Sequence, residues 1–204
     1  MKDNNSLDLD ALLHQDMNES TLELILDLVA QVSWWVHPSV YHAISIVYPK
    51  TRRKKGKEDR GQIINGIRLW FNEPASHALW LALGTNKDKI KNSYVCHIYE
   101  NSVNDPDHFT NLANMTAFPK SLQSLSEWKP IADVLKYHSY KIYGYRGPEN
   151  VIPIPPKYYP ESWQNTNNSS QEIEKIIQTL KDQSITRPSF NSKDKKLENT
   201  RITL

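Results

Sequence analysis

Tyr94-Val95-Cys96-His97-Ile98-Tyr99-Glu100, with the polar segment Asn101 to Asp107 and the run His108 to Leu125 behind it, is the stretch that decides the fold. Its first seven residues are aromatic and β-branched enough to form an extended strand. A polar loop containing Asp105-Pro106 follows, and Asn114 opens a second short apolar run. Pro119 is well placed to start a helix, because the N–H it lacks has no partner in a first helical turn. The order is strand, loop, strand, helix, with His97 at its head.

This order resembles that of the ββα-metal, or HNH, nucleases. In that family the first strand carries a general-base histidine and an asparagine fastens the loop. A histidine, or an asparagine in one branch, lies nine positions after the fastening asparagine and binds metal from the helix. His97 matches the base and Asn114 the fastening residue, although Asn111 stands in a similar local context. The ninth position after Asn114 is Gln123, a departure at the metal position; His108, Asp105 and Asp107 are further candidate donors. Cys96 occupies a place where the family often has an acidic or histidine ligand, and strand alternation makes it a packing residue first and a ligand second.

The resemblance covers about Ser93 to Ser126. It implies an α+β fold, a mostly helical domain with an embedded ββα-metal motif, and a divalent metal cofactor, Mg²⁺ or Mn²⁺. The activity it implies is hydrolysis of DNA phosphodiester bonds leaving a 5′ phosphate.

The residue types suit that chemistry. An imidazole with an ordinary pKa of ~6.5 can take a proton from water near neutral pH. A cation would stabilise the developing charge and the leaving oxygen. An amide oxygen such as that of Gln123 can bind Mg²⁺, though less strongly than a carboxylate.

Charge distribution carries the argument about partners, since a net charge of +2 by itself marks no nucleic-acid binder. Lys50 to Arg60 holds seven Lys and Arg, while the first 27 residues are acidic. Arg52, Arg53, Lys54, Lys55 and Lys57, with Gly56 among them, read as a loop that contacts DNA phosphates without reading sequence. The single cysteine excludes an internal disulfide and a four-cysteine zinc staple. No apolar run approaches the ~20 residues of a membrane span, and no charged-then-apolar leader opens the sequence, so the expected location is cytoplasmic.

Outward from the motif, residues 1–19 read as a tail, 20–164 as one nuclease domain, and 165–204 as linker, short helix and polar tail. A helix is expected from Ser20, with Ser20 as N-cap and Glu23 completing a capping box. Leu24 and Leu28 widen its apolar face, which suggests burial. His37 before Pro38 marks a turn. Gln62 to Leu83 reads as two helical runs, the second stopped by Gly84, with Trp70 and Trp80 as core residues. Ile131 to Tyr143 outlines another amphipathic helix, and the proline-rich Val151 to Pro160 an extended strap that packs its tyrosines and Trp163 on the body.

The function expected from these residues is a type II restriction endonuclease of HNH type, acting on duplex DNA as a homodimer within a restriction-modification defence system. The alternative is a non-catalytic nucleic-acid-binding protein on a degenerate ββα scaffold, suggested by Gln123 and Cys96.

Overall fold

The computed structural model describes residues 18–53, 61–85, 92–164 and 168–185. The chain is α+β. Its elements are α1 (Glu19–Val32), α2 (Pro38–Ala43), β1 (Thr51–Arg53), β2 (Ile63–Ile64), β3 (Ile67–Trp70), α3 (Glu73–Ala82), β4 (Ser93–His97), α4 (Pro106–Phe109), β5 (Met115–Pro119), α5 (Lys129–Tyr143) and α6 (Ser170–Ile185). Three 3-10 segments, Glu100–Asn104, Leu112–Asn114 and Lys120–Glu127, join the elements around β4 and β5.

The antiparallel pair β4–β5 is the structural centre, in register from Ser93 opposite Pro119 to His97 opposite Met115. On its other side β5 meets Trp34, which bridges to Ala117, and the Thr116 hydroxyl donates to the Trp34 carbonyl at 2.9 Å. With neighbours on both edges and α3 and the 3-10 segment Lys120–Glu127 packed nearby, β5 is buried from Met115 to Phe118. Its continuous burial explains the apolar run after Asn114, where a half-exposed strand would alternate. Phe109, Leu112, Phe118, Leu79, Ile131 and Leu135 fill the core around it.

Gln62 to Phe71 is a hairpin rather than the first of two expected helices. Ile64 pairs with Ile67 across Asn65-Gly66, and both turn residues have positive φ, 51° and 77°. An Asn-Gly pair supplies that left-handed geometry at low cost, and its twist matches the flanking strands. Here the local turn outweighs the helical spacing of the isoleucines. In the same sheet β1 runs parallel to β3, so Arg52 and Arg53 lie on a strand rather than in a free loop. Lys54, Lys55 and Lys57 lie outside the described residues.

The first helix is capped by Asn18 rather than Ser20: the Asn18 carboxamide oxygen accepts from the Thr21 N–H at 2.9 Å. Its buried stripe is Leu26, Val29 and Ala30, while Leu24 is 69 % and Leu28 47 % exposed, so the helix is a surface element with one seated face. His37 caps α2 by accepting the Ser39 N–H on Nδ1. The helix expected from Pro119 begins instead as the 3-10 segment Lys120–Glu127, and α-geometry starts at Lys129 beside Pro130.

The strap is seated as expected at its far end. The Tyr158 hydroxyl donates to Asp27, and the Trp163 ring stacks on His138 at 3.6 Å between centroids. Val151, Ile152 and Ile154 face solvent. Helix α6 is longer than the short helix read in the sequence and packs on α3, with Leu180 wholly buried. No helix among the described residues is long and apolar enough to cross a membrane.

Candidate active site around His97 and Asn114

The loop between β4 and β5 is held by one buried side chain. Asn114, wholly inaccessible, ends the 3-10 segment before β5. Its Oδ1 accepts the Tyr99 N–H at 3.1 Å, and its Nδ2 donates to Ser102 Oγ at 2.6 Å and to the His108 carbonyl at 3.0 Å. The Asn114 carbonyl also accepts the Ile98 N–H at 2.9 Å. The start and the far side of the loop are thus tied to one residue. Asn111 has a different task, accepting the Ala113 N–H as a local cap.

His97 closes β4. Its Nε2 lies 2.9 Å from the Phe109 carbonyl, and since a carbonyl can only accept, Nε2 carries the proton and Nδ1 keeps the lone pair. The Phe109 ring stacks on the imidazole, 13° from parallel. Burial pushes the His97 pKa down to about 4, the carbonyl bond opposes that shift, and the charge of Arg53 adds to it. His97 is therefore neutral throughout the neutral range, as a proton acceptor must be, but it is a weaker base than the ordinary value of ~6.5 suggests.

A cavity of ≈ 500 Å³ opens beside His97. Arg53 from β1, Asn72 ahead of α3, Glu127, and Lys129, Asp133 and Lys136 from α5 contribute to its wall. Lys129 is ion-paired with Asp133, and the Lys136 ammonium lies 5.5 Å from the centre of the Tyr99 ring. That pairing leaves Arg53 and Lys136 as the cations without an ion-pair partner among the described residues here, against Glu127. Among the described residues of the basic stretch, Arg53 reaches this cavity and Arg52 is not among its lining residues.

The residues expected to hold a cation are placed apart from this wall. Gln123 is exposed on the 3-10 segment, and its carbonyl accepts from Ser126 Oγ. Asp105 caps α4 by accepting the Asp107 N–H at 2.9 Å. His108 Nδ1 is 2.6 Å from the Tyr145 hydroxyl, and its Nε2 faces Asp105 Oδ2 at 3.9 Å. Cys96 is buried and its thiol is pushed up to about 12 by desolvation, so it is protonated here. Among the described residues no three His, Cys, Asp or Glu side chains converge as a cation site. As placed, Gln123, His108 and Asp105 do not fit a divalent cation as one set.

Sequence reading did not single out Tyr145, Asn72 or Glu127. Tyr145 follows a glycine after a helix, and nothing local relates it to His108, 37 residues earlier. Asn72 and Glu127 reach the cavity through the packing of α3 and the 3-10 segment against β4. No family model, curated protein or solved structure matches the chain.

Proposed function

We propose that this protein is a DNA endonuclease of ββα type, with His97 as the general base and Asn114 as the residue that keeps the loop in shape. The carrying observation is a neutral histidine fixed at a strand end by the Phe109 carbonyl, beside a cavity that presents Arg53 and Lys136. Nδ1 takes a proton from a water as that water bonds to phosphorus. The P–O3′ bond breaks, leaving a 5′ phosphate, and the departing oxygen is protonated from solvent. Arg53 and Lys136 oppose the charge that gathers on the phosphoryl oxygens. No step is assigned to Mg²⁺ or Mn²⁺, because the residues expected to hold them are not assembled. Cleavage is accordingly assayed with and without each metal.

The rest of the reading follows from chemistry of this kind. A homodimer would cut both strands and favour a two-fold symmetric target, as a type II restriction enzyme does. The test is incubation with plasmid or phage DNA: discrete fragments from the wild type, and none from a folded His97→Ala variant. Fragments formed by His97→Ala at the original rate would overturn the assignment. Gln123 and Cys96, each standing where the resembled family has a stronger ligand, favour a second reading, a nucleic-acid-binding protein without catalysis. Tight DNA binding with no turnover under Mg²⁺ or Mn²⁺ is its signature.

A further inference from the structure

Tyr145 lies two residues beyond α5, outside the loop that holds the candidate base, and is buried. Its hydroxyl approaches His108 Nδ1 at 2.6 Å. Because His108 Nε2 faces the Asp105 carboxylate, the imidazole proton belongs on Nε2 and the phenol donates to Nδ1. Desolvation raises the Tyr145 pKa, the nearby Tyr99 adding to the shift, so this donor stays protonated.

What His108 holds makes this bond consequential. His108 and Phe109 are the last two residues of α4, a single turn four residues long. The His108 carbonyl receives the Asn114 amide, and the Phe109 carbonyl receives the His97 Nε2 proton. Any rotation of that turn moves the carbonyl that orients His97. The Asn114 bond restrains the turn at its backbone, and the Tyr145 hydroxyl restrains it from the opposite element through the His108 ring.

We propose that Tyr145 is a positioning residue for His97, acting through the His108 ring and the Phe109 carbonyl to aim Nδ1 into the cavity. The proposal rests on the reading of His97 as the base. A short turn held through a side chain as well as at its backbone fixes the carbonyl more narrowly than one held at its backbone alone, and a misplacement of about 1 Å at a reacting group can cost on the order of 10²-fold in rate.

The test uses the full chain with Tyr145→Phe, which removes one oxygen and keeps the ring. Two readouts are taken: steady-state cleavage of plasmid DNA, and the downfield proton NMR signal of the His97 Nε2–H. The expected result is a fall in kcat of about 10-fold or more with KM unchanged, together with broadening or loss of the His97 signal through faster exchange. A second variant, His108→Leu, breaks the same link from the other side, and the double variant should lose no more than the worse single. An unchanged signal in Tyr145→Phe overturns the proposal whatever kcat does, and so do losses that multiply in the double variant. Wild-type protein that cuts no DNA while its His97 signal still depends on Tyr145 would sink the nuclease reading and leave the positioning role standing.

Discussion

The Asn114 side-chain amide donates to the His108 carbonyl at 3.0 Å, one peptide unit from the carbonyl that receives the His97 proton. One asparagine therefore shapes the loop and sets the frame in which the candidate base is held. Burial makes the arrangement demanding, because every group that loses its partner there is cut off from water.

Asn114→Ala should be strongly destabilising. It would strand the Tyr99 N–H, cost the His108 carbonyl one of its donors and take away a partner of Ser102 Oγ. A buried group left unsatisfied costs about 1 to 3 kcal/mol, so a total loss of about 2 to 4 kcal/mol is expected after partial relaxation. Urea denaturation measures it as a lower midpoint at unchanged slope. Asn111→Ala, which removes one local cap, should cost about 1 kcal/mol.

Gly147 is the second exacting position. Its φ is 72°, and a Cβ there would run into the Tyr99 ring. Gly147→Ala must both strain the backbone and displace the ring of Tyr99, a residue whose backbone N–H is tied to Asn114. Overpacking of this kind costs about 1 to 3 kcal/mol, read as a lower thermal midpoint. Adding Tyr99→Leu should recover part of the loss, and a double variant no better than Gly147→Ala would show that the ring is not the obstacle.

The sequence shows where chemistry is local. The strand before His97, the proline-led α3 and α5, and the glycine after Tyr143 each leave a mark within a few residues, and the structure has elements there. The hairpin at Asn65-Gly66 was legible too, but the isoleucine spacing fitted a helix equally well, and turn geometry decided between them. The exposure of Leu24 and Leu28 was not legible, since which apolar residues of α1 find a neighbour depends on α5 and the strap. The engagement of His108 by Tyr145 and the reach of Arg53 into the His97 cavity join distant segments, and no spacing rule within either segment encodes them.

Acid should weaken the fold earlier than carboxylate titration alone would. Burial lowers His97 to about 4 and His138, stacked on Trp163 with Trp35 meeting it edge-on, to about 3. The unfolded chain protonates these rings near ~6.5, so between that pH and the folded values it binds more protons than the native state. Stability from this source is complete above pH ~6.5 and is lost as pH falls through the window toward about 4 and about 3. Each histidine contributes a slope of up to ~1.4 kcal/mol per pH unit. His138→Gln, which keeps an acceptor for Tyr159, should flatten the pH dependence of the urea midpoint by one histidine's share. An unchanged slope would show that His138 protonates without unfolding.

Arg52 and Arg53 separate binding from chemistry if the cavity is where DNA is cut. They are neighbours on β1, paired with Leu69 and Trp70 of β3, but Arg53 alone of the two lines the cavity beside His97 and depresses the pKa of that histidine. Neutralising either should weaken binding to all DNA sequences alike and flatten the plot of log affinity against log salt by about 0.9 for each phosphate the protein no longer neutralises. At saturating DNA the two variants should part. Arg52→Gln should cut at the wild-type rate, because a side chain that grips the backbone outside the cavity positions the duplex and moves no proton. Arg53→Gln should be slower by about 10-fold or more, the scale of losing a charged group that stabilises the transition state. It should also shift the acid limb of the pH–rate profile upward, since a cation that held the His97 pKa down is gone. Equal rates for both variants at saturation would place Arg53 among the groups that only bind DNA and leave Lys136 as the cation facing the reacting phosphate.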